Sequence, residues 1–206
     1  MQTVVSKAKA YLKVRQKAVR EAMKKLSLDG LLLTSPADLA YLTNFTGDDS
    51  IGIITAKDFI LVTDFRYTEQ AQIEAGWLKV VMREGKMDVA LADTIIEAKL
   101  KRVGFEINRA TFGQIHALDK AISEKAGAKA VELLPIEDVL VNIRKVKDDH
   151  EIDLIRKSAA IAEEAFTAIR DEIKVGQSEN YLAGLLVFEL RSRGASDSSF
   201  PVIVAA

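Results

Sequence analysis

The sequence predicts an α/β fold in two parts, and three observations carry that reading. Apolar, β-prone runs alternate with helical periodicities through about residue 134. Two of these runs, 51–55 and 59–63, are joined only by Ala56-Lys57-Asp58, a hairpin spacing that makes the sheet mixed rather than purely parallel. From Asp148 onward the pattern changes to long helices. The expected domains are 1–143 and 144–206.

The elements follow in order. Val5, Ala8, Leu12, Val19, Met23 and Leu26 mark a first helix over residues 5–26, broken by Asp29-Gly30. Leu31-Leu32-Leu33-Thr34 is a short buried strand, and Ser35-Pro36-Ala37-Asp38 starts a short helix through Leu42. After the hairpin, Asp64 caps a helix to about Ala75, ended by Gly76. Strand 77–82, helix 88–100 and strand 103–106 come next. Thr111 with Gln114 forms a capping box for a helix to about Lys125. Strand 130–134 is closed by Pro135, and 136–143 is a connecting helix.

Beyond the boundary, Asp148 and Glu151 form a second capping box. Ile152, Ile155, Ala159, Ala162, Phe166, Ile169 and Ile173 then recur at alternating steps of three and four, one apolar stripe. Gly176 ends this helix. Ser178 caps the next, Gly194 stops it, and 200–206 reads as a strand. Two helices and a strand are too little to close a core. Burying the five large stripe residues gains on the order of 10 kcal/mol, an upper bound. The stripe is therefore expected to meet other polypeptide, and the apolar end points to a chain cut in mid-structure.

Composition excludes several classes. The 206 residues are 49% hydrophobic and 29% charged, with a net charge of −1, so no basic surplus points to nucleic acid. No apolar run reaches a membrane-spanning length, and the basic, interrupted N-terminus is no signal peptide. The absence of cysteine fits a reducing, cytoplasmic setting. His116 and His150 read as helix-surface residues without metal-ligand spacing, and Asp48-Asp49 as a solvated acidic turn. Ser198-Ser199 lack the surroundings of a nucleophile. The most pointed polar cluster is Asp64-Phe65-Arg66-Tyr67, at the end of a strand entering a helix. Asp64 can act there as a cap braced by Arg66 and Tyr67, or the cluster can touch a substrate or a neighbouring subunit.

Taken together, the segments Tyr41-Leu42-Thr43-Asn44-Phe45-Thr46-Gly47, Thr63-Asp64-Phe65-Arg66-Tyr67, Val103-Gly104-Phe105-Glu106 and Arg144 to Ala159 resemble the creatinase/aminopeptidase P/prolidase family of pita-bread metallohydrolases. Gly176, Ser178-Glu179, Gly194-Ala195 and Ser199-Phe200 extend the match. Asn44 departs from the Gly more usual in the family, and Pro201 interrupts the last strand. The resemblance implies that 1–143 is a creatinase-like, ribonuclease-H-like mixed sheet with flanking helices. It implies that 144–206 opens a truncated pita-bread α+β domain.

It further implies a parent enzyme, a homo-oligomer acting on proline-containing peptides with two divalent metal ions (Mn, Co or Zn). All five metal ligands of the family lie past the position matching Ala206, so no catalytic or metal residue is assigned and this chain alone is expected to be inactive. Phe45, Asp64, Arg66 and Tyr67 are expected at the substrate mouth or an interface. The rival readings are a non-catalytic peptide- or protein-binding relative, a metal-free creatinase-type amidinohydrolase, and a stand-alone dimerisation domain.

Overall fold

The structure, a computed structural model, describes residues 9–205. It divides into two units, Met1–Val146 and Lys147–Ala206.

The first unit is a six-stranded mixed sheet in the order β4-β3-β2-β1-β5-β6. Its strands are β1 (Gly30–Leu33), β2 (Ile51–Thr55), β3 (Phe59–Thr63), β4 (Lys79–Met82), β5 (Arg102–Glu106) and β6 (Glu132–Ile136). Only β2 runs against its neighbours; the β1–β5, β5–β6 and β3–β4 pairs are parallel. The carboxyl ends of five strands therefore share one edge of the sheet.

Every residue of β1, β2 and β3 is buried, because the sheet is covered on both faces. The two-residue alternation sorts them. Leu31 pairs with Ile54 in one core, and Leu32 with Ile53 in the other. The first core is closed by α1 (Ala10–Lys25), α2 (Pro36–Thr43), α3 (Thr68–Ala75) and α6 (Val139–Lys145), through Val19, Met23, Leu39, Leu42, Ala71 and Leu140. The second is closed by α4 (Met87–Glu97) and α5 (Phe112–Ala126), through Leu91, Ile95, Leu118 and Ile122.

Thr111 makes both bonds of its capping box. Leu12, Val19 and Met23 of the expected first stripe are buried, Leu26 is exposed, and Val5 and Ala8 lie outside the described residues. Pro135 does not close β6 but sits inside it. The strand is at the sheet border, and Glu132 N–H donates inward to Lys101 O, so residues two apart face β5 while position 135 faces out. A residue without an N–H is tolerated there.

The second unit is a helix pair, α7 (Asp149–Arg170) and α8 (Glu179–Ser192). Asp148 and Glu151 complete the capping box, and Ser178 Oγ accepts from Tyr181 N–H. Two expectations change here: the helix ends at Arg170, before Ile173, and residues 200–205 form no strand. The stripe is largely open: Ile155, Phe166 and Ile173 are each at least half exposed, and of the seven positions only Ile169 is fully covered. Residues 200–205 form no strand, since none of the described residues supplies a ladder for them.

Candidate functional site

At the shared carboxyl edge, α2 ends on Asn44, whose left-handed backbone (φ 64°) turns the chain sharply. That conformation suits Asn as well as Gly, which accounts for the residue standing there. Asn44 Nδ2 donates to the Tyr11 hydroxyl at 2.7 Å. The turn drives Phe45 into the first core at 0% exposure, where it meets Tyr67 edge-on with ring centroids 6.0 Å apart. Phe45, expected at a substrate mouth or an interface, thus lies in the first core of this unit. The loop then runs over this ring pair at Gly47. A Cβ there would lie 2.7 Å from Tyr67 Cδ1 and closer still to Phe45 Cζ.

Both ends of this loop are pinned. Thr46 N–H and hydroxyl donate to the Glu74 carboxylate of α3, and Gln70 Nε2 donates to Thr46 Oγ1. At the other end lies an ion-pair network. Asp64, its side chain 7% exposed, caps the 3-10 turn Phe65–Tyr67 by accepting from Arg66 N–H at 3.1 Å. It also accepts from Arg66 Nε at 2.9 Å and from Arg66 Nη2 and Arg83 Nη2 at 2.7 Å each. Asp49 takes a second bond from each guanidinium.

Two carboxylates and two guanidiniums make this cluster neutral. The Arg66 side-chain hydrogen bond pulls the Asp64 carboxyl down to about 2, with the Arg66 backbone N–H and the charges of Arg66 and Arg83 assisting and burial opposing. Hydrogen bonds to Asp64 and Asp49 hold Arg66 above its ordinary value. Sequence reading picked out Asp64, Arg66 and Tyr67. It missed Arg83, and it set Asp49 aside as solvated. The one available signal was an arginine directly after an apolar strand.

A second cluster fixes α6. Asp38, its side chain 3% exposed, accepts from Arg144 Nη1 at 2.5 Å and lies 3.4 Å from Arg109 Nε. Buried Glu106, at the end of β5, accepts from Leu140 N–H at 2.6 Å and so caps α6 from outside, where Asp138 makes no side-chain cap. Burial pushes the Glu106 carboxyl up; Asp38 adds to this, while the Leu140 hydrogen bond and Arg109 oppose it.

Between β1, β2 and the starts of α4 and α5 lies a cleft of about 590 Å³, whose polar lining includes Thr34, Asp49, Ser50, Lys86, Asp88 and Gln114. Ser50 Oγ is engaged by Thr63 Oγ1 and Asp48 O, both at 2.8 Å. Asp49 is engaged by the two arginines. Among the described residues no three His, Cys, Asp or Glu side chains come together to hold a metal ion. Asp49 and Asp64 at this edge are committed to arginine, and His116 stacks on exposed Phe112.

This fold has relatives among known proteins. Residues 15–146 match the family model for the Creatinase/Prolidase N-terminal domain, and residues 153–206 match Metallopeptidase family M24. The chain belongs to the creatinase/prolidase family. It is 35% identical over 188 residues to the uncharacterized peptidase YqhT of Bacillus subtilis (strain 168), covering 91% of this chain and 52% of that one. Among solved structures it is similar to an Xaa-Pro dipeptidase from Bacillus anthracis (TM-score 0.83, 31% identity, 92% of this chain and 51% of that one). It is also similar to an X-Pro aminopeptidase from Thermotoga maritima MSB8 (TM-score 0.78, 28% identity, 87% and 51%). The chain spans about half the length of these relatives. Among the described residues no helix is long and apolar enough to cross a membrane.

Proposed function

We propose that this chain is the N-terminal portion of a metal-dependent Xaa-Pro peptidase, which hydrolyses the bond before proline in the cytoplasm. The observation that carries this is the order of the two family matches. A creatinase/prolidase N-terminal domain is followed directly by the start of an M24 metallopeptidase domain. In this reading the first unit shapes the mouth of the active site and supports a homo-oligomer. Two divalent metal ions are bound by sequence following these 206 residues. The open apolar surface of α7 and α8 is then the seat of the remaining catalytic fold. That fits an α8 that is apolar nearly all round yet has no buried residue.

The test is a paired assay. The 206-residue chain should release no product from Xaa-Pro peptides with or without Mn²⁺. A product of the reading frame carried on through a following catalytic region should cleave them and stop when a chelator is added. Turnover by the 206 residues alone would overturn the division of labour. Metal-independent hydrolysis of an amidine by the longer product would favour the creatinase-type reading.

A further inference from the structure

We propose that α1 is a docking surface for an acidic, extended segment of a partner protein, gripped by a line of basic side chains and anchored by one apolar side chain in the crevice beside them. The chain as a whole is balanced, with 29 basic and 30 acidic residues, but α1 is not. Its one acid is Glu21, against six lysines and arginines. Arg15 is buried. Lys13, Lys17, Arg20 and Lys24 recur at steps of four, three and four, which sets them in one line along the helix. The three lysines are exposed, as is Lys57 of the β2–β3 turn. Arg20 ties that turn to the helix, donating from Nε to Thr55 O at 2.9 Å and from Nη2 to Asp58 O at 3.3 Å. Among the described residues, Lys13, Lys24 and Lys57 take part in no ion pair. Lys17 meets Glu21 at 4.0 Å, but the two side chains are 79% and 64% exposed, so this pair is weak and yields to a better partner.

Spacing and crevice select the occupant. Residues four apart on a helix are separated by about 6 Å along its axis. Alternate side chains of an extended peptide repeat at about 6.6 Å. A segment with an acid at every second position therefore sets successive carboxylates against successive cations. Beside the line lies a crevice of about 390 Å³, lined by the apolar groups of Met23, Leu28 and Ala56 and by Lys17, Arg20, Glu21 and Lys24. It accepts an aliphatic side chain. No aromatic residue lines it, so it offers no platform on which a nucleobase would stack. Cations around an apolar hole thus fit a polypeptide in which acids flank an aliphatic residue. The proposal is independent of the peptidase reading, because it needs only the first unit.

The test is fluorescence anisotropy of the 206-residue chain with a dye-labelled oligoglutamate peptide that carries one central leucine. The wild type should bind it, and binding should weaken as salt is raised. Lys13→Glu combined with Lys24→Glu should weaken binding at least about tenfold, because attractive pairs become repulsive ones. Lys120→Glu combined with Lys129→Glu alters the net charge equally on another element and should leave binding nearly unchanged. Ala56→Trp, which fills the crevice without altering charge, should abolish the preference for leucine over serine at the centre of the peptide. All five positions are exposed, so unchanged melting temperatures will show that the fold is kept. Absence of binding, equal weakening by the two double variants, or an undiminished preference for leucine in Ala56→Trp would overturn the proposal. So would tighter binding of oligouridylate or of anionic vesicles than of the peptide. Sedimentation in which the Lys13→Glu, Lys24→Glu variant loses an oligomer that the wild type forms would assign the line to a second copy and overturn it too. The peptidase assay above is read separately, so either idea can fail without the other.

Discussion

The two units use similar local signals and reach opposite degrees of burial. In the first, every residue of three adjacent strands is out of water, with helices on both sides. In the second, α8 has no buried residue and α7 only Ala165 and Ile169, although the pair carries as many apolar side chains as a core helix would. A capping box and an apolar stripe are enough to specify a helix. Whether its stripe enters a core depends on polypeptide that the stripe does not encode.

The contrast can be broken outright by cutting the chain at the boundary. Residues 1–146 alone should unfold in one sharp thermal transition, and residues 147–206 alone should show a broad, uncooperative one by calorimetry. A sharp transition from the smaller piece would remove the distinction.

Next in size, Phe45→Ala should cost about 3–5 kcal/mol in urea titrations of the 206-residue chain, as for a large core side chain. Phe166→Ala should stay within about 0.5 kcal/mol, because that ring is already half in water. Equal losses would mean that the stripe is covered after all. Asp38→Ala should cost about 2 kcal/mol. This is less than the usual loss of a buried pair, because Arg109 and Arg144 are each more than a third exposed and can rehydrate.

The smallest effects are in pH dependence, and their signs oppose. Asp64 has a depressed value near 2, so its contribution is complete above the unfolded carboxylate value of about 4 and is lost as pH falls through 2. Glu106 is raised, so its contribution is complete below about 4 and is lost as pH rises through its folded value. Melting temperatures of Asp64→Asn should therefore fall less steeply in acid than those of the wild type. Those of Glu106→Gln should decline less as pH rises above about 4. Parallel curves for either variant would refute its assignment.

Much of the fold was legible because local rules decided it. Thr111-Gln114 and Asp148-Glu151 name two helix starts by reciprocal hydrogen bonds between residues three apart. The hairpin at 56–58 and the apolar runs beside it fix the mixed sheet. The site was less legible because it is built at long range. Arg83 reaches Asp64 across nineteen positions and Arg144 reaches Asp38 across more than a hundred, with no periodicity to announce either pair. The burial of Phe45 was hidden for another reason. An aromatic residue in a polar loop reads as exposed until the left-handed turn at Asn44 is known, and that turn reverses its direction. Residues 200–205 have strand composition, but a strand is a property of two segments.

Pro135 has a consequence for how these molecules crowd together. A β-sheet grows by templating, one hydrogen-bonding border at a time, and the β6 border has a missing donor near its middle. Recruitment of stray chains, domain exchange and fibril elongation are all obstructed on that flank. A strand joining on that flank finds one hydrogen bond fewer, so the opposite border, beside β4, is the better template.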